Sequence, residues 1–556
     1  KHINQHIRVQ SALSTLDSFL LQKTKKEEKK IMNIFKYKKN KNEVIITGLQ
    51  EDVSNTSIVI PETIDNMPVV EIGPRAFKLS NITDIKIGAN IRKIGEEAFG
   101  YCRKLHFITW NGTCDEIPDG CFFFCENLKT FDFSAIKKVG RYAFRASGLQ
   151  EACLPENIEV VSEGAFDGCS ELHSVIWHCK CNVIPSDCFF KCSNLKAFDF
   201  SSIKSIGKDA FNQGGLQRID LPATVEKVYE RAFHECRNLQ FATWNCKCDE
   251  IPDSCFAVCR KLKSFNFAGI KKIGSHAFEL TDLEKVDLPA TVESISEWAF
   301  STCNGLRSVT WNCKCDVIPA DCFYECTNLK QFDFSGIEKI GKHAFEGSGL
   351  QEVNLPENIN AVLVGAFERC GELQSATWSH KCELIPSNCF EGCLKLTKFN
   401  FANAKRIGQS AFRNSGLQEV RLAKNIKNVY DSAFYECRKL QFVEWNCQRD
   451  VIPDTCFARC SSLKEFDLSN VRKIEERAFI YSGLTSVTLS TGTAVGHGCF
   501  ACCNDLEKVE WLSDESIEKN IFAECKNIKE ILISDKVMNI AVGAFAASPN
   551  AEISFV

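Results

Sequence analysis

The sequence predicts an α/β solenoid, in which short repeats stack along one axis, and three periodic features support this. Seven tryptophans recur at intervals of 67 residues, the last after 66: Trp110, Trp177, Trp244, Trp311, Trp378, Trp445 and Trp511. A phenylalanine, usually preceded by Ala or Cys, recurs every 21 to 23 residues from Phe77 to Phe545. Apolar and polar residues alternate before each turn, as in Val353–Leu355. Periods of 20 to 50 residues are typical of solenoids, so we expect about 22 repeats, three to each tryptophan interval.

The length and charge of the chain fit one elongated array. A chain of 556 residues would otherwise suggest several globular domains, because single cores stop growing near ~250 to 300 residues. The formal charge of −4 gives no sign of nucleic-acid or membrane-surface binding, and no apolar run approaches the ~20 residues of a membrane span. We therefore predict a basic N-terminal segment over residues 1–43, flexible or capping, and a solenoid over residues 44–556.

Each repeat is expected to contain one short strand and one short return arm. In the repeat that begins at Phe345, Leu350, Val353 and Leu355 have the spacing of an inward-facing strand, and Pro356 begins a turn. We expect the return arm to be a short helical or irregular turn that ends at the next repeat phenylalanine. Parallel strands ~4.8 Å apart would form a curved sheet on the concave face, with the phenylalanines stacked on the convex side.

The recurring pattern IGxxAFxxCxxLxxVxLP, seen in Ile94–Phe99 with Cys102 and Leu105, resembles the BspA-like leucine-rich repeats of bacterial and protist proteins. The segment Val44–Phe77 resembles the first repeat of that family, and the resemblance extends over residues 44–556. It implies a non-catalytic protein at the cell surface or secreted, which adheres to host or matrix proteins. The alternative is a cytoplasmic scaffold or effector whose cysteines are reduced.

The 32 cysteines occupy a few fixed positions in the repeat. Fourteen follow the repeat phenylalanine by three residues, and seven directly precede it, where other repeats have Ser and Ala respectively. This exchange with small residues favours buried thiols. The segment Cys179–Cys192 leaves two alternatives open, because Cys179, Cys181, Cys188 and Cys192 have spacing that would suit zinc, and neighbouring repeats are close enough for disulfides. Against zinc, Cys181 aligns with the inward-facing Ile359 of another repeat.

The outward strand positions are the expected binding surface of a solenoid. The central column of these positions consists mostly of Asp, Asn and Thr, with Arg421 as its one base. Its candidate partner-binding residues are Asp132, Asp199, Asp220, Asp287, Asp333 and Asp467. Carboxylates stacked at strand spacing repel, which a basic partner or a cation would relieve. The alternative is that these residues keep the sheet soluble and prevent edge-to-edge association.

A flanking column contains the aromatic candidates Phe107, Phe241 and Phe442, one residue before the first inward strand position. Exposed aromatic residues beside polar ones are typical anchors of protein interfaces, although these rings would equally pack against each other and the neighbouring strand. The seven tryptophans occupy the second inward position, where Leu221 and Leu288 stand in other repeats. We therefore expect the tryptophans in the core.

Nothing in the sequence indicates catalysis or a bound cofactor. There is no nucleophile motif and no phosphate-binding loop, and we expect no His or acidic pair to recur with the repeat in a way that would build a pocket. The sequence therefore predicts no catalytic residues and no metal ligands, with the zinc-loaded repeat as the alternative. The basic stretch Lys23–Lys41 is expected to be a solvated tail rather than a nucleic-acid arm, or to fold back on the acidic column.

Overall fold

The computed structural model describes residues 34–50 and 56–556. The part of the basic stretch before residue 34 lies outside the described residues, and so does any contact between it and the acidic column. The chain forms two compact units, Lys1–Cys248 and Asp249–Val556. Within each unit the strands after the N-terminal cap are parallel and follow one another in coils, so the predicted parallel solenoid is confirmed for each.

Five strands form the start of the first unit. They are β1 (Phe35–Asn40), β2 (Glu43–Leu49), β3 (Ser57–Val59), β4 (Thr63–Ile64) and β5 (Met67–Ile72). Strand β1 is antiparallel to β2, which in turn is parallel to β5. The Phe35 ring is 1% exposed and packs edge-on against Phe77, with 6.4 Å between ring centroids. The hairpin of β1 and β2 therefore covers the first repeat phenylalanine.

Long strands of three or four residues form the first type of ladder. In the first unit they are Asp84–Ile87, Phe107–Trp110, Glu151–Leu154, Ser174–Trp177, Arg218–Leu221 and Phe241–Trp244. In the second unit they are Lys285–Leu288, Ser308–Trp311, Glu352–Asn354, Ser375–Thr377, Glu419–Leu422, Phe442–Trp445, Ser486–Leu489, Lys508–Trp511, Glu530–Ile533 and Glu552–Phe555. In most of them buried inward residues alternate with more exposed ones, as the period of two predicts, whereas all four residues of Glu552–Phe555 are exposed.

Short strands of two residues form the second type of ladder, in which an exposed or half-buried residue precedes an inward aliphatic one. In the first unit they are Lys93–Ile94, Glu116–Ile117, Lys138–Val139, Val160–Val161, Val183–Ile184, Ser205–Ile206 and Lys227–Val228. In the second unit they are Glu250–Ile251, Lys272–Ile273, Ser294–Ile295, Val317–Ile318, Lys339–Ile340, Ala361–Val362, Leu384–Ile385, Arg406–Ile407, Asn428–Val429, Val451–Ile452, Lys473–Ile474 and Ala494–Val495.

The long-strand ladder is interrupted, which the sequence did not predict. In the repeat that contains Phe131 and Phe133, the expected strand is absent, and the Asp132 carboxylate instead accepts a hydrogen bond from the amide of Ser134 at 2.9 Å. Both rings pack against Phe144, with centroids 5.2 and 5.4 Å away. Two large inward rings and a side-chain turn therefore replace the strand in this type of repeat.

The core of each unit is a stack of the repeat phenylalanines. The Phe77 and Phe99 rings are 5.4 Å apart and 5° from parallel, and neighbouring pairs continue in the same way. The tryptophans flank this stack. Trp177 is 5% exposed, packs edge-on against Phe189 and donates from Nε1 to the carbonyl of Cys181 at 2.8 Å. The prediction that the tryptophans belong to the core is confirmed, with Trp311 the most exposed of the seven at half-buried.

The return arms are not helical, so the helical part of the predicted α/β class is wrong. Among residues 34–50 and 56–556 there is no helix. Glu97 and Tyr101, on either side of Phe99, have φ of 52° and 61°, and each is the third residue of a tight turn. The Phe99 amide donates to the carbonyl of Cys121 in the next repeat at 3.0 Å. Residues with positive φ, and backbone hydrogen bonds made to the next repeat rather than within the arm, exclude a helix here. It follows that the described residues contain no helix able to cross a membrane.

Replacing a left-handed residue by glycine is expected to stabilise the fold. Leu79 is 71% exposed and has φ of 63°, a conformation that costs a non-glycine residue about 1–2 kcal/mol. Leu79→Gly should therefore raise the free energy of unfolding by up to about 1 kcal/mol, after the entropy cost of glycine in the unfolded chain. Leu394 is also exposed but has an ordinary φ, so Leu394→Gly should lower it. Urea unfolding midpoints measure both, and a loss in both variants would contradict the turn geometry.

Candidate functional site

The predicted partner-binding residues lie on the strand surface, the exposed side of the long strands and of the turns that interrupt them. All nine are exposed. Phe107, Phe241 and Phe442 are the first residues of their strands and are 66%, 57% and 45% exposed. Phe107 and Phe241 belong to the first unit, and Phe442 belongs to the second.

Two of the aspartates lie within strands and are already paired. The Asp220 carboxylate contacts Arg218 two residues earlier and accepts from the Thr243 hydroxyl of the next strand at 2.7 Å. Asp287 repeats this arrangement, with the Lys285 ammonium at 2.8 Å and the Thr310 hydroxyl at 2.6 Å. The neighbouring base, followed by the hydroxyl, lowers the pKa of each carboxyl group.

The other four aspartates lie in the interrupted repeats. In each, one carboxylate oxygen accepts from the backbone amide two residues later at 2.9 Å; these residues are Asp132, Asp199, Asp333 and Asp467. Asn266 and Asn400 make the same turn in their repeats. An uncharged side chain therefore serves equally well, and the turn does not depend on the negative charge.

The expected repulsion along an acidic column is wrong for the residues of the strands. Across the ladder Asp220 faces Thr243 and Asp287 faces Thr310, so no two carboxylates are opposed there. At the single base of the column, Arg421 contacts Glu419 and Glu444 at 3.2 Å each. At these strand positions the charges are compensated within the surface, which is therefore mixed polar there rather than an acidic stripe.

A groove opens on the strand surface of the second unit where the ladder is interrupted. It has a volume of about 500 Å³ and lies between the strands that begin at Phe442 and Ser486. Phe442, Phe466 and Asp467 are among its walls. The guanidinium of Arg421 lies 4.6 Å from the Phe442 ring centroid. This groove joins an exposed ring to polar groups in one concave site.

The cysteines three residues after the repeat phenylalanines are buried, as predicted. Cys169 is fully buried, and its thiol donates to the Phe144 carbonyl at 3.0 Å and contacts the Ser147 hydroxyl. Burial raises its pKa to about 12. The same bond to the phenylalanine carbonyl of the preceding repeat is made by Cys102, Cys125, Cys192, Cys236, Cys303, Cys326, Cys370, Cys393, Cys437, Cys460, Cys503 and Cys525.

The zinc arrangement suggested by the four cysteines of the segment Cys179–Cys192 does not form. Cys188 and Cys192 are buried in the core, whereas Cys181 is half-exposed, contrary to the expectation that it faces inward. Within the described part of the chain, one group of three or more candidate ligand atoms lies within 4.8 Å of one another, and it contains none of these cysteines. That group is His343, Glu346 and Glu368.

Two features on the side of the repeat phenylalanines were missed by the sequence reasoning. One is a cavity of about 380 Å³ lined in part by Lys78, Tyr101, Phe123 and Arg145. The other is the His343 cluster. The segment HAFE occurs at residues 276–279 and again, 67 residues later, at 343–346. A His and Glu pair therefore recurs with the triplet, and this recurrence is the signal that would have found the cluster.

The pairing of Asp220 predicts a pH-dependent contribution to stability. Its pKa is lowered in the folded state, so the contribution is present above the unfolded pKa of about 3.9 and is lost as the pH falls below it. Asp220→Asn should lower the free energy of unfolding at pH 7 by at most about 1 kcal/mol, since the pair is exposed. The difference from wild type should vanish near pH 2 to 3. Urea unfolding at both pH values measures this.

Asp199→Asn is the matched control, because Asn266 makes the same turn with the Ala268 amide at 3.0 Å. This variant should unfold like the wild type at both pH values. Equal losses in the two variants would contradict the distinction between paired and turn-forming aspartates.

Solved structures similar to this chain include leucine-rich repeat proteins of bacteria. A leucine-rich repeat protein of Bacteroides ovatus is 18% identical with a TM-score of 0.34, covering 94% of this chain and 98% of its own. A leucine-rich cell surface protein of Faecalibacterium prausnitzii is 18% identical with a TM-score of 0.27, covering 86% and 93%. The pneumococcal vaccine antigen PcpA is 15% identical with a TM-score of 0.24, covering 94% and 97%. No curated protein matches the chain.

The family match covers most of the chain. The profile of the BspA type leucine-rich repeat region matches in six copies, over residues 70–196, 182–307, 316–441, 383–507 and 450–555. The matched residues include both types of ladder, the repeat phenylalanines and the cysteines that bond to them. The resemblance seen in the repeat pattern is confirmed, and the chain belongs to the BspA-type leucine-rich repeat family.

Proposed function

We propose that this chain is a non-catalytic protein-binding solenoid that recognises a partner protein through its strand surface. The observation that carries the proposal is the exposure of Phe107, Phe241 and Phe442 on a surface that is otherwise mostly polar. An aromatic side chain buries about 150–250 Å² when it is fully covered. At about 25 cal/mol per Å², covering one of these half-exposed rings would contribute about 2 to 3 kcal/mol to association.

The surroundings of Phe241 fit the periphery of a protein interface. Arg218 is its neighbour across the ladder, and Arg218 is held by Asp220, which also binds Thr243. Charged groups that are already fixed by one another lose little conformational freedom on binding. An aromatic centre with a hydrogen-bonding border is the usual anatomy of such interfaces.

The groove beside Phe442 supports the same proposal in the second unit. Its volume of about 500 Å³ is enough for one or two side chains of a partner, with Phe466 on one wall. Arg421 holds the Phe442 ring through its guanidinium, so the ring is positioned before a partner arrives. The interruption of the ladder therefore forms a groove into which a side chain of a partner can insert.

The location of binding has two candidates. Membership of the family favours adhesion to host or matrix proteins at the cell surface or after secretion. The second candidate is a cytoplasmic scaffold or effector, and the state of the cysteines favours it. The described residues include all 32 cysteines and show no disulfide, and most of the cysteines three residues after a repeat phenylalanine bond to backbone carbonyls through their S–H groups. Disulfides are expected mainly in exported proteins, so the thiol count separates the candidates.

Loss of the three exposed rings is expected to weaken partner binding. The immobilised chain would be presented with a panel of extracellular-matrix proteins and with a lysate of the source cells, and each captured protein would be purified for affinity measurement. The triple variant Phe107→Ser, Phe241→Ser and Phe442→Ser should weaken binding of the captured protein by at least about 10-fold, since each ring contributes about 2 to 3 kcal/mol.

Leu394→Ser is the matched control, because Leu394 is 51% exposed but lies just after a repeat phenylalanine and not on a long strand. It should leave the affinity unchanged. Equal binding by wild type and the triple variant, with both folded, would refute binding through the strand surface.

A thiol titration is expected to find all cysteines reduced. Protein denatured without reductant should react at about 32 thiols, because the chain has 32 cysteines and the described residues show no disulfide. In the native protein Cys153, the one exposed cysteine, should react first, and Cys153→Ser should remove that fast phase. A count far below 32 would contradict the reduced state and favour the exported location.

A further inference from the structure

A compact group of nitrogen and oxygen atoms lies on the turns of the second unit, away from the strand surface. His343 Nδ1 is 2.7 Å from Glu346 Oε2 and 3.6 Å from Glu368 Oε2. The three side chains are 21%, 10% and 14% exposed. His343 and Glu346 flank one repeat phenylalanine, and Glu368 directly follows the next one, so the stacking of repeats brings them together.

The imidazole nitrogen in this group is buried without a hydrogen-bond partner. The contact from His343 Nδ1 to Glu346 is short, but its direction does not meet hydrogen-bond geometry. A buried polar atom without a partner is rare, and a bound ion is one of its physical explanations. Arg369 approaches the other oxygen of Glu346 at 3.5 Å and leaves Oε2 directed at the histidine.

The preceding triplet has a corresponding histidine but no residue equivalent to Glu368. His276 and Glu279 correspond to His343 and Glu346, and there Nδ1 forms an ordinary hydrogen bond of 2.9 Å. Position 301 is Ser, which replaces Glu368, and the His276 ring stacks on Trp298. The two triplets therefore differ at the second carboxylate and at the residue beneath the ring, and Thr302 of the first corresponds to Arg369 of the second.

Gly365 takes the place of Trp298 and leaves room for the group. It has φ of 64°, and a Cβ atom there would lie 2.3 Å from His343 Nδ1 and 3.0 Å from Glu368 Oε2. A side chain at this position would fill the space between the imidazole and the carboxylate. Because Gly365 has no side chain, the space between the imidazole of His343 and the carboxylate of Glu368 stays open.

We propose that His343, Glu346 and Glu368 bind a divalent transition-metal ion such as Zn²⁺, with water or a partner carboxylate as the remaining ligand. One imidazole and two carboxylates form a suitable donor set. Two ligands about 2.1 Å from a tetrahedral zinc ion lie about 3.4 Å apart, close to the observed 2.7 and 3.6 Å. Small movements of these side chains would complete the geometry.

The local charge supports a dication. The side chains of Glu346 and Glu368 are only 10% and 14% exposed, so a charge on either carboxylate is unfavourable there without further positive charge. Arg369 offsets one of them, and a metal ion would offset the other. Buried charges are normally paired or bound to metal, and the ion would satisfy both carboxylates and the imidazole together.

The test uses the full chain, freed of metal by a chelator and kept reduced by a phosphine. Wild type should bind one equivalent of Co²⁺ with visible d–d bands and without the thiolate-to-cobalt band that cysteine ligands would give. Zn²⁺ should displace it and raise the thermal midpoint. Glu368→Ser, which copies Ser301 of the preceding triplet, should weaken Zn²⁺ binding by at least about 10-fold.

His343→Gln provides a second loss of one ligand, and His276→Gln is the matched control. His276→Gln should bind Zn²⁺ like the wild type, because that triplet lacks the second carboxylate. Equal Zn²⁺ affinity in wild type and Glu368→Ser, or cobalt bound only with a thiolate band, would overturn the proposal.

Discussion

The stack of repeat phenylalanines is the interaction on which the rest of each unit depends. Neighbouring rings lie 5.2 to 5.8 Å apart, and the backbone beside them is bonded from coil to coil, as where the Phe122 amide donates to the Ala143 carbonyl at 2.7 Å. The buried thiols add a further bond, for example from Cys125 to the Phe99 carbonyl. Strands of two to four residues are too short to be stable alone, so this stack holds them in register.

The same stacking explains why polar side chains of successive repeats cluster on the turns. A ring buried every 22 or 23 residues fixes the positions before and after it, so their side chains from successive coils lie side by side. The 67-residue triplet then allows one position to vary while its surroundings are repeated. His276 with Ser301, and His343 with Glu368, are two such versions, and only the second forms the group to which we assign a metal ion.

Interruption of the long-strand ladder gives the strand surface its features. Phe131 and Phe133 both point into the core, on either side of Asp132. At Asp132 the backbone forms a turn and does not pair with a neighbouring strand. Beside Phe466 and Asp467 the same interruption leaves the groove that Phe442 borders. A packing requirement in the core therefore shapes the surface through which we propose that partners bind.

The repeat, the parallel coils, the inward tryptophans and the burial of most cysteines could be predicted from the amino-acid pattern. The period and the apolar positions are enough to define the fold of a one-dimensional array. The conformation of the return arms could not be predicted in this way. Residues such as Glu97 and Tyr101 adopt positive φ, which a sequence usually indicates by glycine. The tertiary structure also decided which charges meet. Asp220 finds Thr243 and His343 finds Glu368 because stacking joins residues of different repeats, and side-chain direction at those positions depends on backbone turns that the pattern does not encode.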